Sequence, residues 1–139
     1  MSRGLNRRRL LGASLATAFG LVACGRKPAR AQAVPAGATV LALGDSLTSG
    51  VGASADTAYP AELARLTGWK VVNGGVSGDT SVQALARLPG LLQQHQPALV
   101  IVSIGGNDFL RRQSAATARA NILRICSAVS YTHLRAHET

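Results

Sequence analysis

Residues 41–50, LALGDSLTSG, place a serine directly after a short apolar run that ends at a glycine. Such a run is typical of a β-strand, and a glycine followed by polar residues is typical of a turn. Because ligands bind outside the carboxyl ends of the strands in open parallel sheets, we expect Ser46, Gly78 and Asn107 to lie at one edge of a sheet. The last two residues follow similar apolar runs, in VVNGGVSGDTS at 71–81 and LVIVSIGGNDFL at 99–110.

The remaining apolar periodicity predicts helices between these strands and one more after them. Residues 98–104 are apolar at nearly every position, which predicts the central strand of the sheet, covered on both faces. Pro89 and Gly90 are expected to interrupt the second helix. The order β-α-β-α-β-α indicates an α/β fold with a parallel sheet. Strands are expected at 39–43, 69–72 and 98–104, and helices at 59–66, from Asp79 or Thr80 to His95, and from near Ser114.

The composition indicates a globular chain of at most one ordinary domain, with 139 residues of which 47% are apolar. The formal net charge is +9, but seven of the fifteen Lys and Arg residues lie within residues 1–30. Residues 31–127 contain seven basic and five acidic residues, which leaves about +2. The predicted domain is therefore nearly neutral, and we expect no nucleic-acid partner.

The first 24 residues are typical of a bacterial export signal. A basic region ends at Arg9, and the apolar stretch at 10–23 is too short to cross a bilayer. Leu21-Val22-Ala23-Cys24 resembles a lipobox, which predicts lipidation of Cys24, a periplasmic location and a membrane tether. Cleavage by signal peptidase after Ala31 or Ala33 is the alternative. Residues 25–38 are rich in Pro, Ala and Gly and are expected to form a tether.

The composition changes again at residues 128–139, AVSYTHLRAHET, where no further strand is predicted. This tail resembles an ending that recurs on unrelated assembled translations, so we expect an artefact and a domain at 39–127 that is cut before its end. Cys126 lies just before the tail at an apolar helical position, and we expect a small buried side chain without a disulfide.

The strand-end segments resemble the GDSL, or SGNH, hydrolases over residues 39–127. The resemblance rests on GDSL at 44–47, NGGVSGDTSVQALARLP at 73–89 and GGNDFLR at 105–111, in the order found in that family. The similarity points to a bacterial subgroup of periplasmic arylesterases, thioesterases and lysophospholipases. It implies a flavodoxin-like three-layer α/β/α fold, of which this chain contains only the N-terminal β-α-β-α-β-α portion.

The resemblance also implies that the protein is a monomer that hydrolyses a small ester or thioester without a cofactor. Three residues have implied roles in this reaction. Ser46 is the implied nucleophile, and the Gly78 backbone N–H and the Asn107 side-chain amide are the implied oxyanion donors. The residues themselves agree, since a serine needs activation and a tetrahedral intermediate needs hydrogen-bond donors aimed at its oxyanion. Asp45 is expected to support the turn by bonding to nearby backbone.

The general base is the missing component of this prediction. In the family it comes from a D-x-x-H pattern, which does not occur in residues 1–139. His95 precedes the third strand and is expected at the opposite edge from Ser46. His133 and His137 lie in the tail, and the sequence has no Asp after Asp108 that could orient either imidazole. That one of these two histidines acts as the base remains an alternative. We expect this chain alone to be inactive or nearly so.

Other functions are consistent with parts of the pattern. A binding module for acyl or glycan ligands would use the same edge without turnover. The sequence from Gly50 to Ala55 fits G-x-G-x-x-A, but it starts too far beyond Leu43 for a dinucleotide-binding turn. Three carboxylates at adjoining strand ends would suit Mg²⁺ and phosphoryl chemistry, namely those of Asp45, Asp79 and Asp108.

Overall fold

The computed structural model describes residues 33–136, and there the predicted alternation of strands and helices is confirmed. Two short helices, absent from the prediction, directly follow the first and third strands. In chain order the elements are β1 (Thr39–Gly44), α1 (Ser46–Ser49), α2 (Tyr59–Thr67), β2 (Lys70–Gly75), α3 (Ser81–His95), β3 (Leu99–Ser103), α4 (Gly106–Leu110) and α5 (Ala115–Ala136).

The three described strands form one parallel sheet in the order β2-β1-β3. The expectation that 98–104 form the central strand is wrong for this sheet, because β1 lies between the other two. Residues 40–43 of β1 are fully buried, whereas every residue of β3 is partly exposed. An apolar run shows that a strand can be covered on both faces, but it does not show how many strands pair with it.

One face of the sheet carries the main hydrophobic core. Leu41 and Leu43 of β1 point to this face, since alternate residues of a strand share a side. Helices α3 and α5 pack on it, with Leu88 and Ile125 fully buried. Helix α2 packs against β2, which completes an α/β architecture around the parallel sheet.

Helix α3 continues through Pro89, so the expected interruption is wrong. Proline lacks the N–H that would bond to the carbonyl of Leu85, which is why a break was expected. Pro89 and Gly90 face solvent, while Leu88 and Leu92 on either side are buried in the core. Burial of the apolar face therefore holds the helix together across the proline.

Cys126 is exposed, which contradicts the expected burial. The buried face of α5 passes through Asn121 and Ile125, and residue 126 lies about 100° further around the helix.

Residues 34–38, which precede β1, bond to the segment after α2. Val34 carbonyl accepts from Trp69 Nε1 at 3.1 Å, and Gly37 N–H donates to Gly68 carbonyl at 2.8 Å.

Among residues 33–136, no helix has the length and apolarity required to cross a bilayer. The predicted export signal, Cys24 and His137 lie outside the described residues, as does the side chain of His133.

Candidate active site

The carboxyl ends of the three strands meet at one edge of the sheet. Gly44, the last residue of β1, is in register with Gly75 of β2 on one side and Ser103 of β3 on the other. Ser46 begins α1 directly beyond β1, and Asn107 lies in α4 beyond β3. Gly78 lies in the loop between β2 and α3. The structure therefore brings the three predicted site residues to the same edge.

Ser46 is held at this edge by the one-turn helix α1. The Asp45 carboxylate precedes the helix and accepts the Leu47 N–H at 3.1 Å, while Ser46 carbonyl accepts from Gly50 N–H at 3.1 Å. Thr48 is buried, and its hydroxyl lies 3.1 Å from that of Tyr59 on α2. These bonds fix the backbone around Ser46. Among residues 33–130, no group hydrogen-bonds to the Ser46 hydroxyl, which is only partly buried.

Gly78 has a backbone conformation that favours glycine. Its φ is +82°, a region that residues with a Cβ rarely adopt. Its carbonyl accepts from Arg111 Nη2 at 2.8 Å. Among residues 33–130, no acceptor takes the Gly78 N–H. That N–H is therefore available to a ligand.

Asn107 is bonded directly to the Gly78 loop. Its Nδ2 donates to Asp79 carbonyl at 2.9 Å, so the residue that follows Gly78 along the chain is fixed to α4. A primary amide has two N–H groups, and this bond uses one of them. The second can donate to a ligand at the same edge as the Gly78 N–H. Gly105, with φ of +115°, forms the turn that starts α4.

Several supporting side chains were not predicted from the sequence. Arg87 on α3 bonds to both Asp79 and Gly44, and Ser81 and Asn121 form a buried cluster with Asp108. The sequence contained a signal for Arg87. It lies on the same face of α3 as buried Ala84 and Leu88, and an arginine at such a position is unusual because an apolar residue is expected there. The partners of such side chains are distant in sequence, so their contacts could not be read from local patterns.

The three carboxylates that were considered for Mg²⁺ each have separate protein donors. Asp45 accepts from the α1 backbone, Asp79 pairs with Arg87 at 2.7 Å, and Asp108 accepts two bonds from Ser81. Within the described residues, no three acidic, His or Cys side chains are grouped as metal ligands. The arrangement supports backbone positioning by these carboxylates rather than phosphoryl chemistry.

His95 lies at the end of α3, just before β3. Ala98 in the following segment donates to the carbonyl of Thr39, the first residue of β1, at 2.8 Å. His95 is thus near the amino ends of the strands, across the sheet from Ser46. Among the described side chains, no imidazole lies beside Ser46, Gly78 and Asn107.

An apolar cavity of about 360 Å³ lies between α4 and α5. Asp108 and Phe109, which follow Asn107 in α4, line it. Phe109, whose side chain is 83% exposed, lines it together with Ile122 and Leu123 of α5. The cavity thus borders the segment of α4 that contains Asn107.

Comparison with known proteins agrees with this geometry. The chain is 57% identical over 75 residues to "Thioesterase 1/protease 1/lysophospholipase L1" of Escherichia coli, covering 52% of this chain and 36% of that protein. It is 38% identical over 95 residues to "Arylesterase" of Vibrio mimicus, covering 65% and 48%. The crystal structure of AlinE4, an SGNH-hydrolase family esterase, has a TM-score of 0.64 and 36% identity, covering 71% of this chain and 56% of AlinE4.

These relatives are longer than the matched region, since the chain spans between about a third and a half of the curated ones. The sequence model of the GDSL-like lipase/acylhydrolase family matches residues 42–137, which is more than half of this chain and includes all three strand-end segments. The chain therefore belongs to the GDSL-like lipase/acylhydrolase family.

Proposed function

We propose that the protein containing this chain is a serine esterase that hydrolyses carboxylic esters or thioesters through an acyl-serine intermediate. The observation that carries this proposal is that Ser46, Gly78 and Asn107 all follow strand ends at one edge of the sheet. The Asn107 bond to Asp79 carbonyl supports the placement of both donors on one side of the reacting carbonyl.

In the proposed reaction, Ser46 Oγ attacks the substrate carbonyl carbon as its proton passes to a base. The carbonyl π electrons move to oxygen, which accepts from Gly78 N–H and Asn107 Nδ2. Each such donor lowers the barrier by roughly 3 kcal/mol. Collapse of the tetrahedral intermediate expels the alcohol or thiol, and water then releases the acid from Ser46 by the same steps. Residues 1–139 contain no D-x-x-H pattern, so the tests below add imidazole as the base.

The apolar cavity beside α4 supports substrates with an apolar acyl or aryl group. The printed names of the relatives, which include a thioesterase and an arylesterase, are consistent with either leaving group.

Export with a lipid anchor at Cys24 is the second part of the proposal. It is supported by the basic region before Arg9, the apolar stretch after it and the cysteine at the end of that stretch. Globomycin blocks the signal peptidase that processes lipoproteins. In its presence we expect the membrane fraction to contain the precursor with residues 1–23 still attached, as measured by intact mass. Processing that continues after Ala31 or Ala33 would contradict lipidation.

The decisive test is whether an acyl group is transferred to Ser46. The chain is incubated with p-nitrophenyl butyrate and imidazole as the external base, quenched in acid and mapped by mass spectrometry. We expect a butyryl group on Ser46 and none at that position in Ser46→Ala. Equal acylation of both proteins would contradict the proposal. Reversible ester binding without a Ser46 adduct would contradict it too, and would favour a binding module.

Removal of the Asn107 amide should slow this acylation strongly. We expect Asn107→Ala to lower the rate of Ser46 acylation by about 100-fold, because one oxyanion donor is lost while the nucleophile is unchanged. Gln94→Ala is the control, since Gln94 is an exposed side-chain amide on α3. If the two variants acylate at equal rates, the role assigned to Asn107 is wrong.

A further inference from the structure

Arg87 connects two parts of the candidate site through a single guanidinium group. Its Nε donates to Asp79 Oδ2 at 2.7 Å, and its Nη2 donates to Gly44 carbonyl at 2.9 Å. The arginine side chain is 24% exposed and the Asp79 side chain 8% exposed, so both are largely out of solvent. Ion pairs of this kind are rigid compared with exposed ones.

The two acceptors lie next to the proposed reacting groups. Gly44 ends β1 and precedes the Asp45-Ser46 turn, while Asp79 follows Gly78. Asp79 carbonyl also accepts from Asn107, so the same residue contacts Arg87 through its side chain and Asn107 through its backbone. The guanidinium of Arg87 is thus bonded to the segment of Ser46 and to the segment of Gly78, and Asn107 of α4 bonds to that second segment.

We propose that Arg87 is a positioning residue that sets the separation between Ser46 and the oxyanion donors Gly78 and Asn107. This inference rests on the proposed function of that site. Arg87 itself touches neither the reacting serine nor the donors, and it acts through Gly44 and Asp79. Misplacement of reacting groups by about 1 Å can cost on the order of 100-fold in rate, so such a link has a large effect on turnover.

The chemistry of the two contacts requires arginine. A guanidinium is planar and presents donors in a fixed fork, so Nε and Nη2 can bond to two separate acceptors at once. A lysine ammonium could keep the ion pair with Asp79, but it is a point charge on a flexible stem and would not hold Gly44 carbonyl in the same geometry. Arg87→Lys therefore keeps the positive charge beside Asp79 and removes the fixed contact with Gly44 carbonyl, so it tests the two contributions separately.

The chain contains a matched control for the loss of an ion pair. Arg65 donates to Glu62 at 2.6 Å within α2, with side chains 68% and 41% exposed. The two residues are three positions apart on α2, and both hydrogen bonds of the Arg65 guanidinium go to Glu62 rather than to a residue of the site. Arg65→Met also removes an arginine–carboxylate pair, and it reports the effect of losing such a pair at the surface, away from the site.

The first measurement compares backbone amide signals by heteronuclear NMR in the ¹⁵N-labelled chain. We expect the signals of Ser46, Gly78 and Asp79 to move in both Arg87→Met and Arg87→Lys, and to stay in place in Arg65→Met. Unmoved signals in a folded Arg87→Met protein would overturn the inference. If Arg87→Met does not fold, Arg87→Lys decides by the same criterion.

The second measurement is the rate of Ser46 acylation by p-nitrophenyl butyrate with imidazole. We expect a loss of about tenfold in Arg87→Lys and about 100-fold in Arg87→Met, with Arg87→Lys melting at the wild-type temperature. A merely structural ion pair would give wild-type acylation in Arg87→Lys, which would overturn the positioning role. Absence of a Ser46 adduct in the wild-type chain would contradict the proposed function instead, and the amide signals would still measure the link between the two segments.

Discussion

Replacing Gly75 with alanine should destabilise the domain by about 3 kcal/mol or more and displace Ser46, the proposed nucleophile. Gly75 ends β2 beside Gly44, and a Cβ built at this position would collide with the backbone of Thr48 and Ser49 in α1. Backbone atoms cannot rotate away as a side chain can. The strain must therefore be relieved by moving either the end of β2 or the helix that carries Ser46.

The conformation of Gly75 makes this prediction specific. Gly75 is not among the glycines with a positive φ, so alanine can adopt its backbone angles and the expected loss comes from the collision alone. The measurement is urea denaturation, which gives the free energy of unfolding, together with the Ser46 acylation rate. We expect both to fall in Gly75→Ala.

Gly90→Ala is the control for Gly75→Ala. Gly90 lies inside α3, and a Cβ there would meet nothing within 4 Å. Alanine is favoured over glycine in a helix interior by roughly 0.5–1 kcal/mol, so this variant should be slightly more stable than the wild type. A Gly75→Ala protein that unfolds at the wild-type urea concentration and acylates at the wild-type rate would show that α1 does not pack as closely against β2 as described.

The fold class and the location of the site were predictable because they depend on local signals. Apolar runs that end in glycine mark strand ends, and three such ends in a parallel sheet must share an edge. Ser46, Gly78 and Asn107 each follow such a run, and they lie at one edge of the described sheet. The resemblance to GDSL hydrolases named the same residues from their order in the chain.

Three errors of prediction concern tertiary packing. The position of β3 at the edge of the described sheet, the continuous helix through Pro89 and the exposure of Cys126 depend on which surfaces meet. Local composition indicates what a segment prefers, whereas packing against other segments decides whether that preference is met. The same limit applies to Arg87, whose two acceptors lie in other segments of the chain.

Removal of the Asp108 carboxylate should cost about 3 kcal/mol of stability. Asp108 is 2% exposed and accepts from Ser81 N–H at 2.8 Å and from Ser81 Oγ at 2.6 Å. Ser81 is fully buried and also accepts from Asn121 Nδ2 at 3.1 Å, so the cluster joins α3, α4 and α5. In Asp108→Ala, two buried donors of Ser81 lose their acceptor, and α3 loses a negative charge at its N-terminus.

The amide variant distinguishes hydrogen bonding from charge in this cluster. In Asp108→Asn, the remaining oxygen can accept from Ser81 N–H, but the new NH₂ group must donate to Ser81 Oγ, which already accepts from Asn121. We therefore expect a smaller loss of stability than in Asp108→Ala, measured by urea denaturation. Because Asp108 follows Asn107 in α4, both variants should also slow Ser46 acylation.

Asp56→Ala is the control, since this exposed carboxylate lies in the loop before α2 and its removal should change stability by no more than about 0.5 kcal/mol. A loss in Asp108→Ala no larger than in Asp56→Ala would mean that the buried carboxylate does not hold the three helices together. If instead Asp108→Ala and Asn121→Ala destabilise the chain by less in combination than the sum of the two single losses, the coupling through Ser81 is established. The carboxylate after Asn107 then serves to hold α4 against α3 and α5, and thereby to fix the amide that is proposed to face the oxyanion.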